Sequence, residues 1–308
     1  MPLLTTGAER VRRWLPAFPL DLPAVIGPLR RGAGDPAFRL DARGTHWLAG
    51  NTPAGAGTLA LCLAGGEVSA SAWGPGADWL LESVPALLGA SDDDSDFMAH
   101  HPVIAASRRE LPGLRLGASG RVWDVLLGAV LEQKVTNTEA RRSWRELAWR
   151  FGEAAPGPAP DGMRVPPTPR VLVRLQDWEW HKAGVDGARR RTLVNAARVA
   201  HQLEKAVDLA GVEGRNRLRL VSGIGVWTAA EVAQRAWGDP DAVSFGDFHL
   251  AHIVGTALVG HRLDDEGMAE VLAPYAPQRH RAVRYIEAAG ISAPRFGPRF
   301  SPRDYRRW

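Results

Sequence analysis

The stretch Ser222-Gly223-Ile224-Gly225-Val226-Trp227-Thr228-Ala229-Ala230, followed after a short interval by Val243-Ser244-Phe245-Gly246-Asp247-Phe248-His249-Leu250, decides how this chain is read. Glycine on both sides of one apolar residue permits a tight turn, and a helix starting at Val226 would present its first backbone N–H groups there. Such a helix start favours an anion, a phosphate above all. Asp247, preceded by Gly246 and followed by an apolar-periodic run, reads as a helix N-cap whose carboxylate is held at a fixed spot. A phosphate grip and a positioned acid, one helix apart, point to chemistry on a nucleic acid.

The bulk composition sets the frame around that stretch. A chain of 308 residues, 45% hydrophobic and 23% charged, is globular and long enough for one large domain or two ordinary ones. No apolar run is long enough to span a membrane, and the N-terminus lacks the order of a secretory signal, so no membrane partner is expected. Cys62 is the single cysteine, which excludes an internal disulfide, an iron–sulfur cluster and a Cys-rich zinc site. A reducing cytoplasm is the expected compartment.

The net charge of +4 is concentrated at one end. Segment 291–308 carries Arg295, Arg299, Arg303, Arg306 and Arg307 against Asp304, which accounts for the whole excess and leaves the remainder neutral. Phe296, Phe300, Tyr305 and Trp308 interleave with these arginines, a pattern suited to a phosphate backbone and exposed bases. The plain alternative is a tail that packs its aromatics on the body. A neutral body must bind nucleic acid through local patches and backbone amides.

The pattern along the chain is mostly α, with a small N-terminal α+β domain, an antiparallel sheet plus a helix. Residues 37–40, 45–49, 58–63 and 67–73 read as four short antiparallel strands between glycine-rich breaks. Residues 77–89 read as a helix that Pro85 would bend or break, and 20–29 as a further strand or helix start. Asp92-Asp93-Asp94-Ser95-Asp96 reads as a solvated, acid-rich start to the next helix, placing a boundary near residue 95. The organisation expected is an N-terminal domain 1–95, a helical domain 96–290 and a tail 291–308.

In the second domain, 122–135 is apolar on nearly every face, as a buried central helix is. An amphipathic helix 139–151 follows, then a Pro- and Gly-rich loop 154–169, long enough to be functional or mobile. Helices are expected over 170–175, 188–206, 226–237, 248–259, 265–275 and 281–289, with Gly238 as a C-terminal cap.

Residues 218–229 and Asp247 resemble the hairpin and catalytic aspartate of the helix-hairpin-helix DNA glycosylase superfamily. Pro112-Gly113-Leu114-Arg115-Leu116, Ala129-Val130-Leu131-Glu132-Gln133-Lys134-Val135 and Pro167-Thr168-Pro169 add to the likeness. It covers about residues 100 to 290 and is closest to the bacterial 3-methyladenine DNA glycosylase II branch. The resemblance implies a helical glycosylase bundle acting as a monomer, associated with the nucleoid, on double-stranded DNA that contains a damaged base. The base would be flipped out and its N-glycosidic bond hydrolysed to leave an abasic site. Alkylated purines are the first substrate class implied, deaminated or oxidised bases the second. A non-catalytic DNA-binding protein with the same hairpin is the rival from another class.

The resemblance assigns roles by position. Asp247 would stabilise the positive charge that builds on the sugar as the base leaves; the plain reading is an N-cap worth about 1 kcal/mol. Strand-cleaving members carry a lysine where this chain has Trp227, so no lyase activity is expected. Trp227 would line the base pocket or lie in the core. Glu231, one turn later, and Glu287 stand where aromatics are expected, implying hydrogen bonding to a base edge over stacking; Glu231 could instead be a surface pair with Arg235. The backbone at Gly223, Ile224, Gly225 and Val226, with Thr228, would hold a phosphate. A monovalent cation, K+ or Na+, is implied at Ser222, Gly223 and Gly225, and no other cofactor is required. Gln133 and Lys134 fall where the family places a wedge for the duplex, though Lys134 could be a helix-end cation. Arg190, within Arg189-Arg190-Arg191, would meet phosphate or belong to a solvated face. His249 is expected to be structural and His252 on the surface or facing DNA.

Overall fold

The computed structural model describes residues 8–291 together with Asp304. The tail residues Arg295, Phe296, Arg299, Phe300, Arg303, Tyr305, Arg306, Arg307 and Trp308 lie outside the described residues.

The N-terminal sheet is antiparallel throughout and has five strands: β1 Arg10–Trp14, β2 Phe38–Leu40, β3 His46–Thr52, β4 Gly55–Ala64 and β5 Glu67–Trp73, in the order β1-β5-β4-β3-β2. On β5, Val68, Ala70 and Ala72 are fully buried while Ser69 is exposed, the two-residue period of a half-covered sheet. The covering element is helix Ala77–Leu87, whose Leu80, Leu81, Val84 and Leu87 pack on Leu59 and Leu61.

Four of these strands match the expected runs, and β1 was not expected. Its sequence, Arg10-Val11-Arg12-Arg13-Trp14, has no apolar alternation, because it is an edge strand held by its arginines. Arg10 pairs with Asp78, and Arg12 Nη1 donates to the carbonyl of Leu81 at 3.0 Å. That carbonyl is the one left without a helical donor by Pro85, four residues on, so Pro85 sits inside the helix without ending it. Segment 20–29 is helix Leu22–Ile26, capped by Asp21, followed by the 3-10 turn Gly27–Leu29.

The acidic run 92–96 corrects the expectation of a solvated helix start. Asp92 is buried in a two-pronged pair with Arg281, itself 2% exposed, and also accepts from the amide of Leu116 at 3.0 Å. Asp94 joins Arg108 and Arg115. The next helix begins only at Pro102.

The helices that follow are Pro102–Glu110, Val122–Leu131, Asn137–Phe151, Pro169–Arg174, Asp177–Lys182, Gly187–Arg198, Ala200–Glu204, Ala206–Leu209, Gly211–Arg219, Val226–Ala236, Leu250–Val259, Asp265–Leu272 and Arg279–Ala288. The single helix expected over 188–206 is interrupted at Val199 (φ −118°, ψ 15°). Segment 154–169 is not a free loop: Glu153–Ala154 pairs with Arg164–Val165, and Met163 and Val165 pack on Ala49 of β3.

Helix Val122–Leu131 is buried along its whole length, as its unbroken apolar run requires. Its first amides, Val122 and Trp123, donate to the two carboxylate oxygens of Glu204 at 3.0 and 2.8 Å. Asp124 accepts from the backbone and side chain of Asn51 at 2.8 and 2.7 Å, tying the helix to β3. Arg31 crosses the helix at Gly128: a Cβ there would lie 1.9 Å from the guanidinium carbon, so the arginine would have to shift. Arg31 donates to Glu132 and to the carbonyl of Val125.

Candidate active site

Helices Gly211–Arg219 and Val226–Ala236 form the two arms of a hairpin whose turn spans 220–225. Gly223 has φ +94°, and a Cβ there would stand 2.0 Å from the hydroxyl oxygen of Thr192. The turn is exposed at Ser222, Gly223, Gly225 and Val226. Val226 and Trp227, in the first turn of the second arm, have amides with no intrahelical acceptor, so this helix start is available to a phosphate.

Two members of the expected phosphate site turn inward. Ile224 is 4% exposed, packs into the main core, and gives its amide to the carbonyl of Val221 at 3.0 Å. Thr228 is 2% exposed, and its hydroxyl accepts from Gln133 Nε2 at 2.8 Å. The same Nε2 donates to the carbonyl of Gly223 at 2.9 Å. Gln133 is thus a strut between the end of helix Val122–Leu131 and the hairpin. Lys134 beside it is exposed with φ +54°, a costly geometry for a side-chain-bearing residue that singles out the tip of this turn.

Arg190 is half-buried and pairs with Asp177, so it is not an open guanidinium; Arg191 is exposed. Arg189 is 4% exposed and closes the end of helix Val122–Leu131 by donating to the carbonyl of Leu131 at 2.8 Å.

Asp247 is fixed by three donors. Its Oδ1 accepts from the amides of His249 and Leu250 at 2.8 and 3.0 Å, and its Oδ2 accepts from the indole Nε1 of Trp227 at 3.2 Å. The N-cap position of the following helix is His249, not Asp247, because the helix starts only at Leu250; Asp247 instead holds the turn that leads into it, as a fixed carboxylate at the edge of a cavity. The neighbouring acids Asp239 and Asp241 are engaged elsewhere, with Arg215 and Arg279. His249 is exposed at the helix start, edge-on to Phe248, and His252 bonds to the carbonyl of Leu263.

The cavity has a volume of about 150 Å³ and lies between the hairpin's second arm, the Ser244–Asp247 loop, helix Arg279–Ala288 and the N-terminal region, which contributes Val25, Pro28, Leu29 and Leu87. Asp247, Glu231 and Glu287 line it. Trp227 meets the cavity through its bond to Asp247 and is half-buried beside it.

Glu231 does pair with Arg235, at 2.9 Å, but inside the cavity, with its side chain 14% exposed. Its other oxygen accepts from Ser244 at 2.5 Å, and Gln234 Nε2 donates to Ser244 at 2.9 Å. Arg235 also donates to the carbonyl of Pro28 at 2.9 Å, joining the cavity's two sides. Burial works to lower its pKa, but the carboxylates of Glu231, Glu132 and Glu287 outweigh that and raise it. His280 is 5% exposed in the wall, and its Nδ1 has no partner. Burial, then the guanidinium charges of Arg284, Arg235 and Arg281, hold its imidazole well below the usual range, so it is neutral at pH 7.

The sequence named Arg235 only as a surface partner of Glu231, and it gave no role to Gln234, Ser244 or His280. Gln234 and Arg235 lie seven and eight residues after Trp227, on the helix face that carries Glu231, so helical spacing could have found them. His280 has no local signal.

Several solved structures share this architecture. A 3-methyladenine DNA glycosylase from Archaeoglobus fulgidus superposes with a TM-score of 0.71 at 14% identity, over 89% of this chain and 97% of that one. The fold is that of the helix-hairpin-helix DNA glycosylases. The apo-form 8-oxoguanine glycosylase/lyase of Clostridium acetobutylicum gives a TM-score of 0.70 at 11% identity, over 93% and 99% of the two chains. MBOgg1 in complex with a low-affinity DNA ligand gives 0.69 at 15%, over 92% and 96%. No protein-family model and no curated protein matches the sequence. The glycosylase fold thus spans the N-terminal sheet and the helical bundle together. Among the described residues, no helix is long and apolar enough to cross a membrane.

Proposed function

We propose that this chain is a monofunctional DNA glycosylase that binds double-stranded DNA at its hairpin, receives an extruded damaged base in the cavity, and hydrolyses the N-glycosidic bond to leave an abasic site. The observation that carries the reading is the position of Asp247: a carboxylate fixed by three donors, lining the cavity and set one helix away from a phosphate-competent helix start. A base leaving C1′ withdraws the bonding electron pair, so positive charge grows on the deoxyribose. Asp247 stabilises that charge and orients the attacking water, and a preformed carboxylate does so without reorganising as the bond breaks.

The absence of lyase chemistry is part of the proposal. Lyase action needs an amine to form a Schiff base with the sugar. No lysine lines the cavity, and the residue bonded to Asp247 is Trp227.

The hairpin turn would grip the backbone through the first amides of its second arm, with Lys134 at the adjacent exposed tip. A monovalent cation fits the turn chemically: the carbonyls of Gly223 and Gly225 each accept one hydrogen bond and keep a second lone pair, and hard oxygen donors suit such an ion. It would neutralise phosphate charge. Alkylated purines are the first class to assay on the family resemblance, deaminated and oxidised bases the second.

The test is release of bases from a panel of lesion duplexes by the native chain and by Asp247→Asn. We expect release by the native protein and a loss of about 100-fold or more in the variant, with duplex binding retained. Release that survives the substitution removes Asp247 from the chemistry. Binding with no release from any duplex favours a non-catalytic DNA-binding protein.

A further inference from the structure

Segment 22–29 joins the N-terminal sheet to the cavity. Leu22 and Ile26 are buried in the core of the sheet, and Leu29 packs both on that core and on the core of the helical bundle. Val25, Pro28 and Leu29 line the cavity. The segment is short: helix Leu22–Ile26 passes at once into the 3-10 turn Gly27–Leu29. So short a helix leaves most of its carbonyls without a donor of its own.

Two of these carbonyls are met from the bundle. Pro28 has no N–H, so it cannot bond the carbonyl of Ala24, four residues back. Arg284 Nη2 donates to that carbonyl instead, at 3.1 Å. The carbonyl of Pro28, near the end of the turn, accepts from Arg235 Nε at 2.9 Å. The partners lie 260 and 207 residues apart in sequence, and the arginines stand on helices Arg279–Ala288 and Val226–Ala236.

Each arginine is aimed by a cavity carboxylate of its own helix. Glu231 pairs with Arg235 and Glu287 with Arg284, both at 2.9 Å. The other oxygen of Glu231 is engaged by Ser244. The two guanidiniums are largely shielded from water, and a charge-assisted hydrogen bond in such surroundings is stronger than a neutral one. One arrangement thus occurs twice: cavity carboxylate, guanidinium, N-terminal carbonyl.

We propose that Arg235 and Arg284 are positioning residues that hold segment 22–29 as a wall of the cavity, and that through this wall the N-terminal domain takes part in seating an extruded base. This rests on the glycosylase reading. Helix Val226–Ala236 begins at the hairpin turn, so a wall tied to Arg235 keeps a set distance from the backbone grip. Arginine suits the task, because its planar fork reaches a carboxylate and a carbonyl together through different nitrogens.

The experiment compares the full-length protein with Arg284→Ala, Arg235→Lys, Pro28→Ala and the Pro28→Ala, Arg284→Ala double variant. In Arg284→Ala, amide hydrogen exchange should quicken roughly tenfold or more over residues 22–29, the loss of one charge-assisted hydrogen bond, and stay unchanged in helix Val122–Leu131. Arg235→Lys, which keeps the charge but not the fork, should show the same pattern more weakly. On the lesion duplex that the native protein processes fastest, single-turnover release by Arg284→Ala should fall about 10-fold, with affinity for undamaged duplex within about threefold. Pro28→Ala supplies the missing N–H, so adding Arg284→Ala to it should change exchange of the segment by less than about threefold. Unchanged exchange in Arg284→Ala, exchange quickened equally in helix Val122–Leu131, or quickened exchange with release at the native rate would each overturn the proposal and leave the glycosylase standing. If the native protein releases no base from any duplex, the glycosylase reading fails and exchange alone judges the clamp. A rise confined to residues 22–29 then upholds it, and no rise ends it.

Discussion

Trp227 donates its indole N–H to Oδ2 of Asp247 at 3.2 Å across 20 residues of chain, joining the start of the hairpin's second arm to the acid at the cavity edge. The indole therefore helps to hold the carboxylate in place. Trp227→Phe keeps the ring and removes the donor. Turnover should fall roughly tenfold with little change in KM, and the cost in stability should stay near 1 kcal/mol, as for one modest hydrogen bond. Single-turnover kinetics and a denaturant titration check the two halves.

With no lysine in the cavity wall, borohydride added during reaction with an abasic or lesion duplex should leave no covalent protein–DNA adduct. A trapped band on a denaturing gel would move this chain into the strand-cleaving class.

Burial and nearby arginines lower the pKa of His280 well below its ordinary 6.5, and the consequence has a definite sign. Below pH 6.5 the unfolded chain takes up a proton that the folded chain refuses, so stability falls with falling pH, by up to roughly 1.4 kcal/mol per pH unit. His280→Phe should lack this component. Between pH 7 and 5 the urea midpoint of the native protein should fall relative to that of the variant as the pH drops; parallel lines would refute it.

Arg12 holds the carbonyl of Leu81 that Pro85 leaves without a donor. Arg12→Ala should cost about 1 kcal/mol through that orphaned acceptor, and Arg12→Ala combined with Pro85→Ala should regain most of it by restoring the helical bond. Thermal unfolding of the single and double variants measures the difference.

Gly128→Ala would place a methyl against the guanidinium of Arg31 in the middle of a fully buried helix. Overpacking of that kind costs about 1–3 kcal/mol, against a helix propensity that alone favours alanine. A stabilised variant in a melting experiment would show that Arg31 moves aside freely.

The legible parts of this protein were those with short spacing. The hairpin turn, Asp247 and the Glu231–Arg235 pair each sit within one or two elements, where turn chemistry and helical periodicity speak directly. Four strands showed because their apolar alternation reflects a single covered face, whereas β1 carries arginines that bond to helix Ala77–Leu87 and so has no apolar stripe. Asp92 looked solvated because its partner, Arg281, is 189 residues away. The cavity was illegible for the same reason: Pro28, Arg115, Ser244 and His280 meet only in three dimensions, and an unpartnered Nδ1 has no trace in a sequence.

Gln133 ties the carbonyl of Gly223 and the hydroxyl of Thr228 to the turn that ends in Lys134. The two places proposed to meet the duplex are therefore clamped at a constant separation, like the jaws of a caliper. When both are engaged it is the double helix that must yield, so lesions that already soften their surroundings should be engaged first.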